Sequence, residues 1–270
     1  MAHQVPNIKL LHASVDPDNK NESEVRILID NKFVKYINID PGVYDPDDMC
    51  FEPVLISLLP PLPSEDWNTG YISQNAETGI PHFSVVSNAP LPGITNTWHP
   101  TQVDHLEIRE RQRLRSNVCE VECPGFSSPV VAKFARFEWE IPQMRAETAA
   151  YEWIAGQDIG PSFLGHLTEE GRVIGFLIEY ITNFRHATLE DLPLCQSTLS
   201  KLHKLGITHG DTNKHNILIH DGKATLIDFD FASRSASDGE LEAELHGLPE
   251  QLRDMSGRGG RRMVVETDPQ

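Results

Sequence analysis

The residues best suited to chemistry are densest in one run, Ile207-Thr-His-Gly-Asp-Thr-Asn-Lys-His-Asn-Ile-Leu-Ile219, followed after a turn by Ala224-Thr-Leu-Ile-Asp-Phe-Asp230. Asp211, Asn216 and Asp228 stand at offsets of 5 and 12. Asn216 and Asp228 offer hard oxygen atoms, the donors that suit Mg²⁺, which keeps several waters and uses few protein ligands. Each also has an ordinary reading: Asp228 as a polar residue ending a strand, Asn216 as a turn side chain bonding its own backbone. Upstream, Pro129-Val-Val-Ala-Lys-Phe134 sets Lys133 in an apolar run, and Glu147 falls on the apolar stripe of the helix that follows. A buried carboxylate is costly without a partner. Pairing with Lys133 relieves that cost; a stripe displaced by one residue would instead leave Glu147 in water.

In this order the residues resemble the catalytic loop and metal-binding motif of the protein-kinase-like superfamily. The pattern there is His-x-Asp, an Asn five residues after the Asp, and Asp-Phe-Gly about a dozen residues further on. His209-Gly210-Asp211 is similar to small-molecule phosphotransferases and atypical kinases, and Ile227-Asp-Phe-Asp230 to lipopolysaccharide-core sugar kinases of bacteria. The resemblance implies ATP and Mg²⁺ as cofactors and phosphoryl transfer to a hydroxyl. It makes Asp211 the base, Asn216 and Asp228 the metal ligands, Lys133 the phosphate anchor and Glu147 its orienter. By the same alignment Phe176–Ile181 leads into a hinge, where the Glu179 carbonyl and Ile181 amide meet adenine and Ile178 guards the pocket. That hinge assignment rests on order along the chain, because apolar runs are common in core strands.

The chain departs from the pattern in several places. No Gly-x-Gly-x-x-Gly precedes Lys133; Arg111-Gln-Arg-Leu-Arg-Ser-Asn117 takes its place. Arginine side chains could replace backbone amides as phosphate donors, or the run could be a solvated basic strand or loop. Gly210 replaces the arginine that reads a phosphorylated activation loop, and Asn213 stands where protein-serine/threonine kinases usually carry lysine. Nine residues separate Asp228 from the next helix, near Asp238, and no peptide-docking segment follows. These features favour a small-molecule or atypical protein acceptor. A pseudokinase acting as a nucleotide-binding or protein-interaction scaffold is the alternative, since the glycine loop is missing and the C-lobe is cut short.

The elements that must position these residues follow from pattern. Val25, Ile27 and Ile29, then Phe33–Ile39, alternate as a hairpin around Asp30-Asn31. Ten of the nineteen prolines fall within 41–100, which argues against continuous helix or central strand there. That stretch also carries Phe51, Trp67, Tyr71, Phe83 and Trp98, so an irregular extension packed on the following domain is expected. Its Leu59-Pro-Pro-Leu-Pro and Asp66-Trp-Asn-Thr-Gly70 resemble fungal kinase-like proteins. Val118–Cys123 and Val130–Phe134 read as strands. Helices are expected from Pro142 to Gly156, from Leu192 to Gly206, and after the capping box of Ser237 and Glu240. Ile217–Ile219 and Ala224–Ile227 flank a turn at Asp221-Gly222.

The chain has 270 residues and a formal charge of −17, which disfavours phosphate backbones and anionic membranes as partners. Four cysteines (Cys50, Cys119, Cys123, Cys195) form no dense framework. Cys119-x3-Cys123 reads as two buried thiols, and the cluster His203, His209, His215 and His220 as loop, turn and helix-surface residues. No signal-like apolar stretch opens the chain, so a soluble intracellular, cytoplasmic protein is expected, with the nucleus left open. The expected fold is α+β: a two-lobed protein-kinase-like core with a reduced helical C-lobe and an irregular N-terminal extension. Residues 1–103 would form the extension, 104–254 the kinase-like domain and 255–270 a flexible tail.

Overall fold

The computed structural model describes residues 6–256; beyond Ser256 the expected tail lies outside the described residues. The chain divides into two compact units, one of residues up to Pro92 with Arg136–Glu138, the other Gly93–Ala135 and everything from Trp139.

The first unit contains β1 (Ile8–Ser14), β2 (Ser23–Ile29), β3 (Phe33–Ile39), α1 (Pro46–Cys50), α2 (Glu52–Leu58), β4 (Thr69–Gln74) and β5 (Pro81–Ser87). The five strands pair in chain order, β3 and β4 in parallel and the rest antiparallel. The β2–β3 hairpin turns where expected, with Asp30 and Asn31 both at left-handed φ. The expectation of irregular structure over 41–100 is corrected for 46–87, whereas 88–100 carries neither helix nor strand. Pro46 and Pro53 sit in the first turns of α1 and α2, where a missing N–H costs nothing, and the later residues supply two strands. Trp67, Met49, Leu55 and Ile72 close a core with Val25, Ile27, Ile37 and Ile39, while Phe83 packs against it. Of the aromatics in this stretch, Trp67 and Phe83 serve a hydrophobic core within the unit, Phe51 and Tyr71 are exposed, and Trp98 packs in the second unit.

The second unit begins at Gly93, eleven residues before the expected boundary at 104. Ile94 is buried in its core and donates its N–H to the Val173 carbonyl, and the Trp98 indole donates to the Thr148 carbonyl at 3.2 Å. Its main sheet contains β6 (Gln102–Asp104), β7 (Arg109–Arg115), β8 (Val118–Glu122), β9 (Val130–Phe134), β10 (Phe163–Glu169) and β11 (Arg172–Glu179), in the order β6-β10-β11-β9-β8-β7. Helix α3 (Ile141–Trp153) follows β9 and ends before Gly156, at φ +74°. After the sheet come β12 (Arg185–His186), α4 (Leu192–His203), β13 (Ile207–Thr208), the hairpin β14 (Ile217–His220) and β15 (Lys223–Leu226), β16 (Ser233–Arg234) and α5 (Asp238–Arg253). Ser237 and Glu240 form both halves of the capping box at the start of α5. Cys119 and Cys123 are free buried thiols, and burial pushes Cys119 up to about 11.

A mostly antiparallel sheet with one long helix, joined through residue 180 to a smaller mainly helical part, is the α+β protein-kinase-like architecture. Among the described residues no helix is long and apolar enough to cross a membrane.

Candidate active site

Lys133 lies on β9, flanked in the sheet by Val118 and Phe176. Its ammonium is 2.6 Å from Glu147 Oε2 and also contacts Asp228 Oδ1. Glu147 is buried on α3, and its other oxygen accepts the Phe229 N–H at 3.3 Å. One carboxylate thus ties α3 to both the lysine and the strand-end loop. Burial pulls the Lys133 pKa down, but the carboxylates of Glu147 and Asp228 more than offset this and hold it above the ordinary lysine value. Burial pushes Glu147 up to about 7, against the pull of Lys133 and with help from the Asp228 charge. Asp228 sits at φ +69°, a left-handed conformation that Asp tolerates better than most residues. Burial works to raise the Asp228 pKa, but Lys133 and Arg115 hold it below its usual range.

The second group gathers around Asp211. Its Oδ2 accepts hydrogen bonds from Asn213 Nδ2 at 2.9 Å and Asn216 Nδ2 at 3.0 Å. With Nδ2 so engaged, Asn216 Oδ1 turns the other way; it is buried and has no hydrogen-bond partner among the described residues. A buried amide oxygen left over in this manner fits a cation ligand. Asn216 Oδ1 and the Asp228 carboxylate are both hard oxygen donors, a type that suits Mg²⁺ rather than a soft metal. Two hydrogen bonds at Ile227 join the two groups one residue before Asp228: the Ile227 N–H donates to Asn216 O, and the His209 side chain donates from Nε2 to Ile227 O, each at 3.0 Å. His209 is fully buried, which lowers its pKa, and its Nδ1 accepts the Asp211 N–H at 3.3 Å. Both ring nitrogens are used by the neutral imidazole.

Gly210 is required by its surroundings. It has φ +81°, and an added Cβ would overlap the Phe231 carbonyl oxygen and lie 2.8 Å from Phe231 Cβ. The chain leaving Asp228 therefore presses directly on the loop that carries Asp211.

A cavity of about 330 Å³ opens beside Lys133, Glu147 and Asp228. Ile178, Glu179 and Ile181, the expected hinge residues, line it, and Val118, Val131 and Leu218 add apolar walls. The Glu179 side chain accepts from Ser162 Oγ at 2.8 Å. Asp211 does not line this cavity; it lines a separate groove of about 280 Å³ with Thr212, Ala243 and Gly247. The expected site residues thus form two directly bonded groups, Lys133–Glu147–Asp228 and Asp211–Asn216, linked through the main chain, with the hinge residues on the cavity wall.

Two contributors had no clear signal in the sequence. Glu244, on α5, accepts the N–H groups of His209 at 3.1 Å and Gly210 at 2.7 Å, and pairs with His203 Nε2 at 2.7 Å. Arg115, at the end of β7, reaches Asp228 Oδ2 at 2.8 Å; the arginine run was visible, but not which member points inward.

A family profile described as "Lipopolysaccharide kinase (Kdo/WaaP) family" matches residues 180–259. Curated relatives include two named "Probable bifunctional tRNA threonylcarbamoyladenosine biosynthesis protein". The one from Methanospirillum hungatei JF-1 is 29% identical over 160 residues, 58% of this chain and 24% of that protein. The one from Methanoculleus marisnigri is 33% identical over 75 residues, 28% of this chain and 13% of that protein. The match spans a quarter or less of each relative's length. Fold, motif order and these similarities agree: the chain is similar to proteins of the protein-kinase-like superfamily, and that similarity points to a phosphotransferase.

Proposed function

We propose that this chain transfers the terminal phosphoryl group of ATP to a hydroxyl, in a reaction that depends on Mg²⁺. The observation that carries the reading is the Lys133 ammonium, buried between Glu147 and Asp228 on the wall of a cavity lined by the hinge residues. In this reading Lys133 holds the α- and β-phosphates, and Glu147 keeps the ammonium in place. Adenine lies against Ile178, with the Glu179 carbonyl and Ile181 amide as its polar partners. Asn216 Oδ1 and the Asp228 carboxylate hold the divalent cation, which neutralises charge on the phosphates when bound. Asp211 orients the acceptor and takes its proton as the new O–P bond forms and the bond to the ADP oxygen breaks.

The family profile's description names lipopolysaccharide, which favours a sugar hydroxyl as acceptor, whereas the relatives' names refer to threonylcarbamoyladenosine biosynthesis in tRNA. Labelled ATP offered with a metabolite and peptide library should identify an acceptor that gains phosphate. Asp211→Ala should abolish turnover while leaving ATP·Mg²⁺ binding intact. Absence of nucleotide binding would defeat this reading; binding without turnover would leave the scaffold reading in its place.

A further inference from the structure

The place of a glycine-rich phosphate loop is held by the β7–β8 hairpin, whose turn is Ser116-Asn117. Arg111 and Arg113 pair along the sheet, Arg111 with Glu120 at 2.9 Å and Arg113 with Glu110 at 3.4 Å. Arg115, the residue just before the turn, instead lines the cavity and bonds Asp228. Both Asp228 oxygens are thereby held by cations: Oδ1 by Lys133, Oδ2 by Arg115.

These two cations are not equally fixed. The Lys133 side chain is 9% exposed, lies on an inner strand and has Glu147 as a second anionic partner. The Arg115 side chain is 40% exposed, on an edge strand whose register slips between Arg113 and Arg115. An edge strand with an irregular register can shift without breaking the inner ladder. His186 and His215 line the same cavity, with ring centroids 5.0 Å apart. The cavity lining thus includes the Lys133 and Arg115 cations and two imidazoles, groups that can donate to a polyanion.

We propose that Arg115 does the work of the absent glycine loop, its guanidinium moving from Asp228 Oδ2 to the phosphates of the nucleotide and freeing that oxygen for the divalent cation. The inference rests on the nucleotide reading above and adds to it a named phosphate-binding residue. Guanidinium suits the task because its fork donates two parallel bonds to phosphate oxygens without needing close approach of the backbone.

The test is equilibrium binding of ATP with Mg²⁺, of AMP and of adenosine to the full chain, wild type against Arg115→Ala and Arg115→Lys. Arg115→Ala should weaken ATP about tenfold, weaken AMP less, and leave adenosine unchanged. Arg115→Lys should recover part of the loss. Unchanged adenosine affinity also reports that the variant is folded. Equal losses for ATP and adenosine would overturn the inference by showing a structural role. Unchanged or tighter ATP binding would overturn it by showing that Arg115 merely competes with the metal at Asp228. Both results leave the nucleotide reading standing. If the wild type binds neither ATP nor adenosine, that reading and this inference fall together.

Discussion

In the N-terminal sheet the buried side chains are nearly all hydrocarbon, from Val25 and Ile27 through Ile39 to Ile72; among the described residues of that unit only Ser23 and Arg26 are buried polar ones. The unit that follows buries Lys133, Glu147, His209, Thr212, Asn213 and Asn216, within two bonded groups and the loop between them. Apolar burial stabilises wherever it occurs, whereas buried charge is costly unless every partner is in place. The contrast separates a core that holds a sheet together from one that holds the proposed site residues in position, and the two should respond differently to substitution.

The largest effect is expected at Lys133. Lys133→Met removes the cation shared by Glu147 and Asp228 and should lower ATP turnover by roughly 10²–10³-fold. A variant with near-normal turnover would break the comparison at its centre. On the other side, Ile27→Ala opens a cavity in the N-terminal core and should cost about 2–5 kcal/mol in denaturant unfolding. ATP affinity, measured well below the melting temperature, should stay constant; a fall in parallel with stability would show that the hydrocarbon core also serves the site.

Gly210→Ala comes next. The left-handed φ and the overlap with Phe231 together should cost about 1–3 kcal/mol, read as lower turnover at little change in ATP affinity. Normal turnover would mean that the Phe231 segment yields easily.

The smallest effect is a pH response. Glu147 has its pKa raised from 4.5 to about 7, so the folded chain keeps this proton over an interval in which the unfolded chain has lost it. Its contribution to stability is therefore fully present below the unfolded value and declines as pH rises through about 7. The ionised form that orients Lys133 grows in over the same range, so ATP affinity should climb as stability falls. Glu147→Gln should flatten both trends, and identical pH profiles for the two proteins would remove Glu147 from the account.

Much of the site was legible because its chemistry is local in sequence. Asp211 and Asn216 share one loop, and Asp228 follows a single hairpin whose turn, Asp221-Gly222, takes left-handed φ at both residues. Lys133 and Glu147 were legible as a pair because a carboxylate on an apolar stripe demands a cation. Strand β10 was missed because Gly165 and His166 interrupt its apolar run, although His166 is buried and accepts the His99 N–H. Helices α1 and α2 were missed because proline was weighed as a breaker rather than as a first-turn residue. Arg115 bonds a residue 113 positions away, and Glu244 looks like any exposed-face glutamate beside Leu245. Neither contact has a local pattern; each exists only once the chain has folded.

The grip of Glu244 on the His209 and Gly210 amides has a consequence for shortened forms of the chain. A nonsense codon, splice variant or proteolytic cut just upstream of that helix position would spare every motif residue from Lys133 to Asp228. Such a product would still be recognised by its signature, yet the loop bearing Asp211, the proposed base, would have lost its outside brace. Motif inspection alone would therefore not distinguish such truncations from the full chain.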